Sequence, residues 1–322
     1  MKAHFILAPM AGLTHRPLRE LIHGLGGCDE YYTEMISASA LVAGGQFEKY
    51  YLDAQPDPSS LVYQLIGDSI STLTKAASIL NEYPSLGIDI NMGCSAPFIK
   101  KKGGGVAWME KQDDAVRLVD SLRKVVTRSK LSAKIRLGTE DDPENLIYFA
   151  QGLENVGLER LTLHPRIAKQ RFKRRARWSA VKELKENIRI EVIGNGDIRS
   201  FEELIERSQG PWDGVMVGRA AIQQPWIFSW AKADIVNIEP VDLESYGLRF
   251  LELLEDYQPK EFYSTRARLF FSYFSLNLIW HHQFFTRFQK MNSRKEMEIL
   301  WQAYFRENPH EKMKHPKISE IV

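Results

Sequence analysis

Cysteine is scarce in this chain of 322 residues, since only Cys28 and Cys94 are present and neither belongs to a Cys-x-x-Cys pair or a Cys/His cluster. Disulfide-stapled scaffolds and structural zinc sites are thereby excluded, no metal is expected, and a reducing compartment is the simplest setting. Long hydrophobic runs are missing as well. The N-terminal MKAHFILAPMAG is short and broken by Pro9, which suits neither a secretory signal nor a membrane span, and no later stretch approaches the roughly eighteen apolar residues that a span needs. A soluble, cytoplasmic protein is expected. An excess of one charge is equally absent, with 43 Lys and Arg against 41 Asp and Glu, so a polyanionic partner has to be argued from local clusters.

What is there is an ordinary globular composition, 44% hydrophobic and 26% charged, which predicts a sizeable core and disfavours disorder, collagen-like structure and coiled coil. Short apolar segments alternate with amphipathic helical patterns over the first two thirds of the chain. Eight segments read as strands: His4–Met10, Glu30–Met35, Leu61–Gly67, Gly87–Gly93, Ser132–Leu137, Arg160–Arg166, Arg189–Asn195 and Gly214–Arg219. Helices are expected at Ser69–Tyr83, Gln112–Arg128 and Pro143–Val156. Strict alternation argues for a parallel sheet, and eight units match a (β/α)8 TIM barrel better than an open doubly wound sheet, whose glycine fingerprint is absent after the first strand. Polar residues collect at the strand ends, which converge on the mouth of such a barrel.

From about residue 237 strand-like segments vanish, and Leu243–Tyr257 and Thr265–Glu307 read as helical throughout. The chain therefore divides into a barrel over residues 1–236 and a smaller all-helical domain over 237–322. The aromatic-rich Arg266–Lys290 either forms a bundle core or offers His281, His282, Arg287 and Lys290 to a polyanion.

Four segments carry chemistry. Cys94 stands after the fourth strand on a loop with Lys100, Lys101 and Lys102, where a thiol can donate a proton or simply fill space. Lys134 and Arg136 alternate along the fifth strand and share a face, so either an anionic ligand or an ion pair with Asp89 or Glu34 must balance them. Glycine turns at Gly194-Asn195-Gly196-Asp197 and Gly218-Arg219 follow strands seven and eight, where barrels bind phosphate through backbone N–H groups. The loop after strand six holds seven basic residues between positions 166 and 177 and no acidic one, with Phe172 and Trp178 interleaved. That density suits a phosphodiester backbone, a merely solvated loop being the alternative.

Taken together, Ala8-Pro-Met-Ala-Gly12, Gln64-Leu-Ile-Gly67, Asn91-Met-Gly-Cys94, Lys134-Ile-Arg136-Leu-Gly138, His164-x-Arg166, Asn195-Gly-Asp197 and Gly218-Arg219-Ala resemble the dihydrouridine synthase family, in the family's order. The resemblance implies an FMN-containing barrel with a helical RNA-binding domain that reduces uridines, most often in tRNA, with NADPH. It places Pro9, Met10, Ala11, Gln64, Lys134, His164, Asn195, Gly196, Asp197, Gly218 and Arg219 around the cofactor. It makes Cys94 the acid that protonates C5 opposite a hydride at C6. Asn91, Arg136 and Arg166 are then candidates for holding the uracil, and Lys169, Arg171, Lys173, Arg174, Arg175 and Arg177 for gripping RNA. A single working chain is expected. The alternative is a flavin-dependent barrel acting on a free small molecule such as a pyrimidine base. His15 in place of the usual Asp, Ser95 in place of the usual Pro and a divergent strand-six loop depart from the family pattern.

Overall fold

The computed structural model describes residues 4–170, 174–233 and 238–316. Eight parallel strands close into a barrel in chain order: β1 (His4–Leu7), β2 (Glu30–Ser37), β3 (Leu61–Ile66), β4 (Gly87–Met92), β5 (Lys130–Arg136), β6 (Arg160–His164), β7 (Glu191–Asn195) and β8 (Gly214–Val217), with β8 returning to pair with β1. The eight strands and the barrel are those expected, but several ends differ. β1 stops before Pro9 and β6 before Pro165, because proline cannot donate to the ladder. The chain then turns, Met10 accepting from the N–H groups of Leu13 and Thr14.

Helices Ile70–Leu80, Gln112–Arg123 and Pro143–Asn155 cover the barrel and bury the stripe that their spacing implies, in the first case Leu73, Ala76, Ala77 and Leu80. Inside the barrel Ile6, Tyr32, Val62, Ile193 and Met216 pack together. At its base Arg160 is buried against Glu30 and Glu191, bonding to Glu30 Oε1 at 2.7 Å and to Glu191 Oε2 at 2.7 Å. The end of the barrel away from the mouth is thus closed by paired charge.

Helix Leu243–Tyr257 forms as expected, whereas the continuous helix anticipated over Thr265–Glu307 is three, Lys260–Phe274, His281–Phe288 and Arg294–Glu307. The last begins at a capping box in which Ser293 and Glu296 each bond the other's backbone, a start signal that the hydrophobic pattern hides. The region is also not purely helical, since Val241–Asp242 pairs antiparallel with Met313–Lys314. The expected boundary at residues 236 and 237 lies outside the described residues. On either side of it a single continuous apolar core runs from Leu7 and Leu18 in the barrel to Phe250 and Phe270 in the helices. The aromatics of Lys260–Phe274 form this core, with Phe270 stacked on Phe250 at 3.6 Å between centroids.

One seam across it is polar. Glu34, at the mouth end of β2, pairs with Arg266 at 3.0 Å, and both side chains are buried. Glu34 also accepts from the Gly12 N–H at 2.5 Å. The β1 turn and the helical region are thereby tied to the same carboxylate.

Candidate functional site

At the mouth the strand ends enclose a cavity of about 270 Å³. Ala8, Pro9, Met10, Met35, Ile198 and Met216 give it apolar surface, while Asn91, Cys94, Lys134, Arg136, His164 and Asn195 reach it from β4 to β7. Arg166, Gly196, Asp197, Gly218 and Arg219 complete the wall. Residues that the sequence scatters over more than two hundred positions are gathered because alternate residues of parallel strands face inward and their C-terminal ends meet.

The Cys94 loop is fixed from below. Asn91 Oδ1 accepts from the N–H of Cys94 at 2.9 Å and of Gly93 at 3.2 Å. Asn91 Nδ2 donates to Gln64 Oε1 at 2.9 Å, Gln64 Nε2 to Asp89 Oδ2 at 2.7 Å, and Ser132 Oγ to Asp89 Oδ1 at 2.7 Å. This chain is buried, so each amide is held in one orientation by the next. From above, the Val106 N–H bonds the Cys94 carbonyl at 2.9 Å. Gly105 is at φ +57°, and a Cβ there would lie 2.4 Å from that carbonyl oxygen, so only glycine closes the loop so tightly. Cys94 itself is half-buried at the cavity wall, and Cys28 is buried elsewhere.

Of the two alternatives for Lys134 and Arg136, an ion pair with Asp89 or Glu34 does not form among the described residues. Asp89 spends its oxygens on Gln64 and Ser132, and Glu34 is committed to Arg266 and Gly12. Instead Lys134 Nζ donates to Asn195 Oδ1 at 2.9 Å and Arg136 Nε to the Gly93 carbonyl at 2.9 Å. Burial, reinforced by Arg136, pushes the Lys134 ammonium down to about 8. Burial likewise pushes the Asp89 carboxyl up to about 6, against the pull of its bonds to Ser132 and Gln64.

His164 is buried among Lys134, Arg136, Arg166 and Arg219, and burial together with those cations holds it far below the usual imidazole range. Arg166 Nη1 lies 2.9 Å from His164 Nε2 and can only donate, so that nitrogen is the acceptor of a neutral ring. Arg166 also donates from Nη2 to Asp197 and from Nε to the Arg174 carbonyl. Expected to hold the uracil, it lines the cavity but spends these donors on pinning the strand-six loop. Asp197 further accepts from the Ala176 N–H at 2.6 Å, and although burial raises its carboxyl these bonds hold it below the ordinary value. Gly196 stands at φ +127°, where a Cβ would come within 3.0 Å of the His164 ring.

Two of the expected cofactor residues lie off the cavity wall: Ala11 is exposed, and Gln64 is fully buried beneath Asn91. Of the expected RNA-gripping residues, Lys169, Arg174 and Arg175 are exposed, while Arg177 is paired with Asp141 at 2.6 Å and Glu183 at 3.2 Å. Arg171 and Lys173 lie outside the described residues. Sequence reasoning missed Met35, Ile198 and Met216 as apolar lining, and Ser132 as the last link under Asn91. Ser132 faces Asp89 in the β4–β5 register, which β-strand pairing alone would have indicated.

The family model for dihydrouridine synthase (Dus) matches residues 6–306. A probable tRNA-dihydrouridine synthase of Aquifex aeolicus is 33% identical over 269 residues, covering 81% of this chain and 83% of that protein. The tRNA-dihydrouridine synthase B of Pasteurella multocida is 31% identical over 252 residues, covering 74% and 73%. Among solved structures, TcOYE with pHBA superposes with a TM-score of 0.54 over 79% of this chain and 95% of that one, at 12% identity, which is a likeness of fold.

Proposed function

Because this chain belongs to the dihydrouridine synthase family, we propose that it reduces the 5,6 double bond of selected uridines in RNA, tRNA being the substrate class, with FMN as resident cofactor and NADPH as reductant. It works in the cytoplasm as a single chain, with the barrel catalytic and the helical region after about residue 236 serving to bind RNA.

The cavity suits such a cofactor on its own terms. Apolar side chains at the ends of β1, β2 and β8 offer a flat ring one surface, while the cationic residues Lys134, Arg136 and Arg166 stand at the ends of β5 and β6 and Arg219 follows β8. Among the described residues Asp197 is the one carboxylate on the wall, and Arg166 already pairs with it. Lys134 is half-buried at the cavity wall without an ion-pair partner among the described residues, which leaves a cation waiting for an anionic ligand. The glycine turns at Gly196 and Gly218 let backbone approach a phosphate.

When bound, the flavin supplies the hydride that adds to C6 of the uracil. Cys94 supplies the other half of the reduction, its Sγ–H passing a proton to C5 so that hydride and proton together saturate the double bond. A positioned thiol is one of the side chains that can act as a general acid. Asn91 holds the loop backbone so that Sγ stays at the wall, and neutral His164 adds no further positive charge to a site that already has enough. A uracil stacked within folded RNA has to be turned out to enter, at a cost of a few kcal/mol, which phosphate contacts at the rim offset.

The single observation that carries this reading is Cys94, held from both sides of its loop, on the same cavity wall as the unpaired cation of Lys134. Mass-spectrometric mapping of dihydrouridine in total RNA, with and without the gene, tests it. Loss of the modification at defined uridines is expected. An unchanged map together with turnover of free uracil would overturn it.

A further inference from the structure

The helical region contains a second hollow, of about 300 Å³, between helices His281–Phe288 and Arg294–Glu307. Trp280 stands at its mouth and is 54% exposed, beside Ile279 and Leu276, which are also exposed. Leu276, Ile279 and Trp280 together form an exposed apolar cluster, the kind of surface that marks an interaction site where it is contiguous. The platform is nevertheless anchored, because the Trp280 N–H bonds the Tyr304 hydroxyl at 3.3 Å, and that hydroxyl in turn donates to the buried Glu311 at 2.8 Å. Phe284 forms the floor, packed edge-on against Trp301 and Tyr304. Gln283, Arg287 and Glu307 line the opening, and none of these side chains has a hydrogen bond or ion pair among the described residues.

A π-face, an edge of donors and acceptors, and a cation are together what one unstacked nucleobase with its phosphate requires. The position of the hollow relative to the barrel mouth agrees. Asn277 Nδ2 donates to the Gln223 carbonyl at 2.6 Å, which ties the turn before Trp280 to the short helix Ala220–Gln223 that follows Arg219 of the cavity wall. Chain reach through that link keeps Trp280 within about 25 Å of Arg219, a span of a few nucleotides of single strand. Lys290 adds positive charge just beyond the end of the same helix.

We infer that this hollow receives a second unpaired nucleobase of the same RNA, stacked on Trp280, with its edge toward Gln283 and Glu307 and its phosphate on Arg287. The inference rests on the reading of the chain as an RNA uridine reductase. A carboxylate offers hydrogen-bond acceptors, so the base taken opposite Glu307 is one that presents an amino or imino N–H. The hollow thereby measures the distance between the reduced uridine and a fixed second base, and contributes to the choice of position.

Binding of the flavin-loaded protein to an unmodified tRNA transcript, followed by fluorescence anisotropy at several salt concentrations, tests this. Trp280→Ala should weaken binding roughly 5- to 150-fold, the range for losing one stacked base, and Trp280→Phe should restore most of it. The salt slope should stay as in the wild type for Trp280→Ala and flatten for Arg287→Gln, because stacking releases no counterions and a phosphate contact does. Flavin content and flavin reduction without RNA should be unchanged. Should Trp280→Ala fail to fold, the exposed pair Gln283→Ala and Glu307→Ala must weaken binding by itself. Unaltered affinity in these variants beside a wild type that binds would overturn the hollow's role and leave the proposed function standing. A wild type that binds no transcript would overturn both.

Discussion

Within the barrel mouth Asn91 is held by Gln64, Gln64 by Asp89 and Asp89 by Ser132, whereas on the rim Lys169, Arg174 and Arg175 stand exposed with no carboxylate against them among the described residues. The two regions face different demands. Delivering a proton to one face of a ring needs atoms placed to a fraction of an ångström, and a chain of buried hydrogen bonds achieves that at the cost of adaptability. Gripping a phosphodiester backbone needs charge near the strand and tolerates movement of the side chains that carry it. Arg166 joins the two, since it is buried with His164 and Asp197 yet bonds the Arg174 carbonyl at the root of the rim loop.

The comparison is sharpened most by removing the thiol that the fixed region holds. Cys94→Ala should slow uridine reduction by roughly 10²- to 10⁴-fold, the scale of a positioned general acid, while flavin content and flavin reduction by NADPH stay near wild type. Stopped-flow measurement of the two half-reactions separates these outcomes. Equal slowing of both would assign Cys94 to the framework.

The next largest effect concerns the polar seam. Glu34→Ala leaves Arg266 buried without its carboxylate and the Gly12 N–H without its acceptor, so a loss of about 3–5 kcal/mol is expected by chemical denaturation. Adding Arg266→Met should recover much of it, because the penalty lies in the unpaired charge. A small loss in the single variant would place the seam with the adaptable rim instead of the fixed framework.

How far the sequence disclosed these regions follows from what each depends on. The barrel was legible because period-two strands and amphipathic helices alternate, and the cavity wall because Cys94, Lys134, His164 and Asn195 stand at strand ends. The support beneath was not. Gln64 reads as a cavity residue, and only the pairing of β3 with β4 and β4 with β5 reveals that it lies under Asn91 and beside Asp89. Arg166 reads as a ligand of the uracil and Arg177 as a free rim charge until the fold brings Asp197, Asp141 and Glu183 to them. Helix breaks near Leu278 and Ser293 escaped a reading based on apolar spacing, since neither carries glycine or proline. Motif positions depend on local sequence, and their partners depend on which strands are neighbours.

A pH profile probes the boundary between the regions more gently. Lys134 is charged below about 8 in the folded protein and keeps its proton up to its ordinary value of 10.5 when unfolded. The folded state therefore binds fewer protons between those values, so stability of the cofactor-free protein should rise with pH across that window and carry the full cost of the buried charge below it. An anionic ligand reverses the preference, because it favours the charged form. FMN affinity, read from fluorescence of the released chromophore, should fall as pH rises through about 8, and Lys134→Met should weaken binding and flatten the profile. A wild-type affinity that does not change across that pH would mean that Lys134 is not the ligand's charge partner.

The smallest effect on chemistry is expected from the rim. Replacing Lys169, Arg174 and Arg175 together with glutamine should leave flavin content and the reduction rate at saturating RNA unchanged, because none of the three touches the cavity wall. Affinity should change in a particular way. Each phosphate contact contributes about 0.7 to the log–log salt slope for single strands and about 0.9 for duplex, so three lost contacts should flatten it by about 2 to 3. The C-terminal end of that loop is held beside the cavity, Asp197 accepting from the Ala176 N–H and Arg166 donating to the Arg174 carbonyl, which places its basic residues near a strand entering there. Titrations of the triple variant and the wild type with a tRNA transcript at several salt concentrations decide the matter. An unchanged slope would move the phosphate grip to the helical region, and a drop in saturated rate would show that rim and mouth are not separable.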